Sequence, residues 1–599
     1  MFNCLKSTIK YGLITLSLLL SSAYTHAVCV YGQWQAPGAT GENGAPLRLE
    51  SDHFAIYWKD GTNISMSQAQ QAASTLESIW NVYFGSQVNF QEPYCNSSQK
   101  WKAAIHFDND FPLYGGGWSR NGHQFMGMWV GPGAALDQWG LAHEFTHGIQ
   151  SLTPAFPDCG GTGCWIYESH ANFMAHQVFP DNLHCSVMLA NAPHLYYGST
   201  RDRYCNWQFF EYLKDNYGMD VVNQMWTAQS PGQGLGDPWH KLMNNQGWSI
   251  SQLNDVFGLW AMHNVTWDYV DPNGTDEGPL YRQTYGRINE DPGNHTQRRL
   301  RLTQLESLNS QWQQNHRFVS PYHWAPQRWG YNIVRLYPTQ SSGNVAITFR
   351  GVIQSEAHSG WRWGVVATSH DLTQTRYSAL QSGSDGSLNF AYHNGEELYL
   401  VVLAAPTQFQ KITWDTPADG RAYPSIYRYP YMVEISGAWP EGFRDGNLDA
   451  CPSGTVRHTN GGGCATSSTP SSVYVGPYAK VLGGSVSGNA RIEDHATIIS
   501  GTVNGGTVGG MSLIGVAGDL YHGPASFNVG SNAHVEATFY PLGWFVNNAT
   551  VDGSAHLLGD LEYYSAHKSA NTFYGLVDDN WNGVASAQEV TVAPPYQWR

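Results

Sequence analysis

Apolar and polar positions along the chain change regime three times. Up to about residue 310 the pattern is mixed. HFAIYW (53–58), WKAAIHF (101–107) and HQFMGMWV (123–130) read as strands, and a helix is predicted over about 67–84. A Gly-Pro-Gly break at 131–133 precedes an apolar stripe at Leu136, Trp139, Leu141, Phe145 and Ile149, which predicts a buried helix; CWIYESHANFMAHQVF (164–179) predicts a second. Further helical patterns run through VFGLWAMHNVTWDYV (256–270), giving the α+β order of a small sheet followed by helices over residues 28–310. From 311 to 440 the pattern alternates and is β-branched, as in YNIVRLYP, VAITFRGV, WRWGVVATS and LYLVVLAAP, with turn clusters SSG and GSDG between the runs. That predicts a β-sandwich middle domain. Its tryptophans suit a core first and a carbohydrate-binding face second.

A Gly-rich linker over 441–470 leads to a repeat over 471–599. Val475, Val481, Val486, Ile492, Ile498, Val503 and Val508 recur about every five or six residues, with Ala-x-aliphatic units at Ala479/Val481, Ala490/Ile492 and Ala496/Ile498. The units return at Ala533/Val535, Ala549/Val551 and Ala555/Leu557. A hexapeptide period predicts a C-terminal parallel β-helix. His495, His534 and His556 make no ligand set, so a structural or attachment role is expected there.

The first 27 residues read as a signal peptide. Lys6 and Lys10 precede the apolar run 11–20, and SSAYTHA offers a cleavage site after Ala27. The run is too short to span a membrane, so the mature protein is expected to be exported and extracellular. Its formal charge of −16 becomes −18 once those two lysines leave, which argues against nucleic acid as a partner. Cys4 leaves with the signal, and the remaining eight cysteines suit an oxidising compartment. Short loops favour Cys159–Cys164 and Cys451–Cys464; Cys185–Cys205 and Cys29–Cys95 complete the expected set. No pair has the CxxC spacing of a zinc–thiolate site.

The chemistry is concentrated at His143-Glu144-Phe145-Thr146-His147, an HExxH motif inside the first buried helix. Histidines four apart share one helix face and can bind one metal ion, with the glutamate beside the bound water. A hydrolytic zinc takes three protein ligands, so a third is required. The extended form would need Gly at 150 and His at 153; Gln150 and Thr153 exclude it. Glu168, near the start of the following helix, is the expected third ligand, with His170, His176 and His184 as competitors. Asn172, one turn beyond Glu168, is placed to hydrogen-bond a ligand histidine. Glu144 is the expected general base, and an oxyanion donor is expected from 194–213, with Tyr204 the first candidate and Tyr197 the second. The bland alternatives are two satisfied core histidines and two packing tyrosines. At the C-terminus Asp578, Asn580, Asn582, Gly583 and Glu589 match a calcium-loop pattern, although no helix signal follows.

HFAIYW, WGLAHEFTHGIQ, YESHANFMAHQ, RDRYCNWQFFEYL and FGLWAMHNVTWDY together resemble the Svx/AvrXca-like secreted virulence and avirulence proteins of plant-associated bacteria, over most of the mature chain. The resemblance implies a gluzincin-type, zincin-like metallopeptidase domain over 28–310, with His143, His147 and Glu168 on Zn2+ and Glu144 catalytic. It further implies extracellular protein or peptide substrates, at a host surface or cell wall. Three readings follow: a secreted zinc endopeptidase, an exopeptidase, and a non-catalytic protein binding cell-wall material or carbohydrate with a vestigial metal site.

Overall fold

A computed structural model of the chain describes residues 29–153, 156, 165–183, 193–194, 197, 206–227, 236–285, 302–321, 324–355, 357–409, 427–510 and 512–514. It also describes the strand segments 526–536, 548–551, 556–558, 566–568 and 572–574. The molecule is a multidomain α+β protein. Its first sheet contains β1 (Leu47–Glu50), β2 (Phe54–Trp58), β3 (Ala103–Phe107), β4 (Leu113–Arg120) and β5 (His123–Val130), in spatial order β1-β2-β3-β5-β4. β2, β3 and β5 are parallel, and the outer strands β1 and β4 are antiparallel to their neighbours. The inner strands are largely apolar, with β2, β3 and the last six residues of β5 buried almost throughout, because both faces are covered. Helices α1 (Met66–Phe84) and α2 (Gln138–Gln150) cover one face, while Tyr57, His106, Trp118, Phe125 and Trp129 cluster on the other. A capping box, Ser65 with Gln68, starts α1.

α3 (Trp165–Val178), α4 (Gln208–Tyr217), α5 (Met219–Thr227), α6 (Pro238–Gln246), α7 (Ile250–His263), α8 (Gly278–Tyr285) and α9 (Ser310–Gln314) follow. Beyond them lie two antiparallel sheets. One has the order β10 (Asp385–Tyr392), β8 (Gly343–Gly351), β12 (Tyr431–Ser436), β6 (Arg317–Val319). The other contains β9 (Trp361–Ser369), β11 (Glu396–Ala404), β7 (Tyr331–Pro338) and β13 (Ala438–Pro440).

The β9–β11–β7 sheet is buried on both sides. Leu398, Leu400 and Val402 of β11 join Phe349, Val433 and Ile435 of the facing sheet in one core. The alternate residues Tyr399, Val401 and Leu403 join the helical core with Trp260, Phe257 and Phe209. That is why LYLVVLA is apolar without interruption: each face meets a different partner. Trp329 Nε1 donates to Asn254 Oδ1 at 2.8 Å, and Arg362 Nε reaches Asp255 Oδ1 at 2.5 Å, so polar contacts also tie this sheet to α7.

Near the C-terminus short strands form a partly curled parallel sheet. Cys464 pairs with Lys480, Lys480 with Thr497 and Thr497 with Leu513, so each partner lies 16 or 17 residues further along the chain. The periodic residues Val475, Val481, Val486, Ile492, Ile498, Val503 and Val508 are buried together with Ala479, Ala490 and Ala496, as their spacing predicts. The disulfides Cys29–Cys95 and Cys451–Cys464 are formed. The signal segment, the other two expected disulfides and the calcium-loop pattern at 578–589 lie outside the described residues. No helix among the described residues is long and apolar enough to cross a membrane.

Candidate metal centre

α2 starts at Asp137, whose carboxylate accepts from the Gly140 amide at 2.9 Å and so satisfies one of the free N–H groups of the first turn. One face of the helix carries Ala142, Phe145, Thr146 and Ile149 into the core. Phe145 packs edge-on to Phe54 and stacks with Tyr83, whose hydroxyl donates to the Ala142 carbonyl at 3.0 Å. The rotation of α2 is thereby fixed, and His143, Glu144 and His147 are presented together on another side. Ligand-capable atoms of these three residues all lie within 4.8 Å of one another.

α3 completes the set. Glu168 Oε2 lies 3.1 Å from His143 Nε2 and 3.2 Å from His147 Nε2, and the two Nε2 atoms are 3.1 Å apart. Zinc bonded to imidazole nitrogen at about 2.0–2.1 Å in a tetrahedron would separate its ligands by about 3.3 Å, so the triangle is of ligand size. The outer nitrogens are held as well. His143 Nδ1 donates to Asn172 Oδ1 at 2.7 Å, and His147 Nδ1 donates to Gln150 Oε1 at 2.8 Å. Gln150 cannot turn around, because its Nε2 donates to the Tyr167 carbonyl at 3.0 Å and lies 3.2 Å from His170 Nδ1. With both Nδ1 atoms protonated, both Nε2 lone pairs face the Glu168 carboxylate.

Three donors this close can hold a cation, a proton or a metal ion, among them. Burial acts to lower the pKa of His147, but the Glu168 carboxylate outweighs it and raises the imidazole to about 9. For Glu168 burial acts upward, and the two histidines hold it well below the ordinary carboxylate range. A divalent ion would serve all three donors at once, and their chemistry, two imidazoles and a carboxylate, fits zinc. Glu144 differs: burial raises its pKa, against the pull of His143 and His147, and its carboxylate accepts from the Gly115 amide of β4.

Gly115 and Gln150 are site residues that sequence reasoning did not find. A Cβ on Gly115 would stand 1.8 Å from the Glu144 carbonyl oxygen, so only glycine lets β4 pass this close to α2. Its signal was the run Gly115-Gly116-Gly117 ahead of the strand His123–Val130, which reads as a loop. Gln150 entered only as the residue that rules out a longer zinc motif; its position three residues after His147 was the available clue.

Of the competing third ligands, His170 is buried against Trp226 at 4.5 Å and serves Gln150, while His176 lies against Glu211 and Glu277. Tyr197 is not at the site. It is 3% exposed among Trp165, Phe209, Trp239, Phe257 and Trp260, and its hydroxyl donates to the Asn206 carbonyl. An apolar pocket of this size holds a tyrosine for its ring area, which corrects the expectation that it faces the metal. Tyr204 and His184 lie outside the described residues.

Residues 33–442 match the model of a protein family described as a family of unknown function, DUF6055. A comparison with curated proteins finds no match.

Proposed function

The chain belongs to this family of unknown function, and from that premise we propose that it is a secreted zinc metallopeptidase that hydrolyses peptide bonds of extracellular proteins. The observation that carries the reading is the convergence of His143 Nε2, His147 Nε2 and Glu168 Oε2 to within 3.2 Å, with the Glu144 carboxylate alongside. Zinc held by these three residues supplies Lewis-acid polarisation of the scissile carbonyl and acidification of water.

The chain's own groups do the rest. Glu144, kept partly desolvated and aimed by the Gly115 amide, takes a proton from the attacking water and hands it to the leaving amine. Asn172 and Gln150 hold the imidazole rings in the tautomer that leaves Nε2 free to bind metal. β4 is the edge of its sheet, and its backbone runs directly past Glu144. An extended peptide can add to such an edge by main-chain hydrogen bonds, which brings a scissile bond to the carboxylate. Tyr204 remains the proposed oxyanion donor.

In this reading residues 28–310 form a zincin-like domain of gluzincin type, and the two antiparallel sheets that follow form a β-sandwich. The C-terminal coils form a hexapeptide-repeat β-helix. The two disulfides agree with export, and the resemblance to the Svx/AvrXca-like proteins supports substrates at a host surface or cell wall. The test is metal content by mass spectrometry together with cleavage of an unstructured protein, for wild type, His147→Ala and Glu144→Gln. About one zinc per chain and chelator-sensitive cleavage are expected for wild type, loss of both in His147→Ala, and retained zinc without cleavage in Glu144→Gln. Undiminished cleavage by Glu144→Gln would refute the mechanism.

A further inference from the structure

Below the metal centre, α3 places Glu168, Asn172 and His176 at four-residue intervals, so His176 sits two turns along the same face. It meets a second group of charges. α4 contributes Glu211 and Asp215, one turn apart, with Lys214 between them; the segment between α7 and α8 contributes Asp271 and Glu277. One oxygen each of Glu211, Asp215 and Asp271 lie within 4.8 Å of one another, and His176, Glu211 and Glu277 form an adjoining triad.

The charges do not balance. Lys214 pairs with Glu211 Oε2, lies 2.5 Å from Asp271 Oδ1, and is 3.7 Å from Asp215 Oδ1 and 3.9 Å from Glu277 Oε1. Among the described residues one ammonium faces four carboxylates, so with all four ionised three negative charges are left over. The Asp215 side chain is 5% exposed, yet neither of its oxygens has a hydrogen-bond partner among the described residues. An isolated buried carboxylate is costly, and such groups are normally paired or bound to metal. Burial first, and the neighbouring Glu211 second, raise Asp215 to about 8 against the pull of Lys214.

We infer that Glu211, Asp215 and Asp271 form a second cation site, which takes Ca2+ and braces the far end of the helix that delivers Glu168. Carboxylate oxygens from two elements suit a hard, oxygen-seeking ion of flexible coordination better than zinc. The turn DPNGTDE (271–277), which carries Asp271 and Glu277, is held closed by Gly274 N–H to the Asp271 carbonyl at 2.7 Å and by Thr275 N–H to Asn273 Oδ1 at 2.8 Å. Lys214 then acts as a partial substitute that neutralises the site when the ion is absent. The inference rests on no part of the peptidase reading.

The test uses the mature protein, dialysed free of calcium, with thermal unfolding followed as CaCl2 is added and MgCl2 as the ionic-strength control. A saturable, calcium-specific rise in Tm of several degrees is expected, lost in Asp215→Asn and in Asp271→Asn. Lys214→Gln should start less stable and gain more from calcium than wild type does. No calcium-specific rise would overturn the proposal. A rise that persists in Asp215→Asn and Asp271→Asn but disappears in Asp578→Asn would assign calcium to the C-terminal sequence instead, and overturn it as well.

Discussion

His106 offers a sharp test of how burial governs stability in this protein. It lies on β3, fully buried, stacked against Tyr57 at 5.3 Å and Trp129 at 5.7 Å, with Trp118 edge-on at 5.7 Å. Neither ring nitrogen has a hydrogen-bond partner among the described residues. Burial first, and the Arg120 charge second, lower its pKa to about 4. In the unfolded chain a histidine titrates near 6.5. Above pH 6.5 neither state binds the proton and His106 gives no pH dependence. Between 6.5 and 4 the unfolded state binds a proton that the folded state refuses, so stability falls as pH falls. The full difference approaches about 3 kcal/mol, of which about 2 kcal/mol is already lost at pH 5. In His106→Phe this loss is absent. At pH 7.5 the variant should match or exceed wild type, because a buried ring without hydrogen bonds is replaced by an apolar one. Scanning calorimetry of both proteins at pH 7.5 and pH 5.0 measures the effect. For a cooperative unit of roughly 400 residues, about 2 kcal/mol corresponds to roughly 2 °C, so the gap in Tm should widen by that amount at the lower pH. The other titrations are common to both proteins and cancel in the difference. Equal gaps at the two pH values would show that His106 accepts a proton in the folded state, and the reasoning from burial would fail.

Other expectations are direct. Asn172→Ala and Gln150→Ala should each weaken zinc binding about 10- to 100-fold in a chelator competition while leaving the circular dichroism spectrum unchanged, since each removes the group that orients one ligand imidazole. Gly115→Ala should lower peptide cleavage about 100-fold with zinc still bound, because its Cβ forces β4 away from Glu144; full activity would mean that the close approach is dispensable. Replacing Cys29 and Cys95 by serine opens a loop with a sequence separation of 66, and should cost about 4 kcal/mol by loop entropy, read as a lower unfolding temperature under non-reducing conditions.

The local part of the candidate site was legible in the sequence. His143, Glu144 and His147 share a face because of helical spacing, and Glu168 and Asn172 follow by the same rule once a second helix is recognised. The role of Gln150 depends on the Tyr167 carbonyl and His170, which lie on another helix, so no local pattern announces it. β4 was hidden because three glycines look like a loop, and only the distance to the Glu144 carbonyl explains why glycine is needed there. Tyr197 has the composition of a site residue and the surroundings of a core residue, a difference that depends on five aromatic rings contributed by four helices. The periodic valines of the C-terminal repeat were legible because each coil makes the same demand as the last.

The two-sided burial of β7, β9 and β11 limits how this protein can be divided. A cut at residue 310, where the hydrophobic pattern changes, would strip Tyr331, Ile333, Tyr399, Val401 and Leu403 from the helical core and leave Trp260 and Phe257 facing water. An expression fragment ending there should aggregate, and gene rearrangement could transplant residues 33–442 only as a whole. The coils after the Cys451–Cys464 disulfide bury their own valines among themselves and touch the preceding part of the molecule through Tyr478 and His495, so shortening that end of the chain leaves the helical core and the candidate metal centre covered.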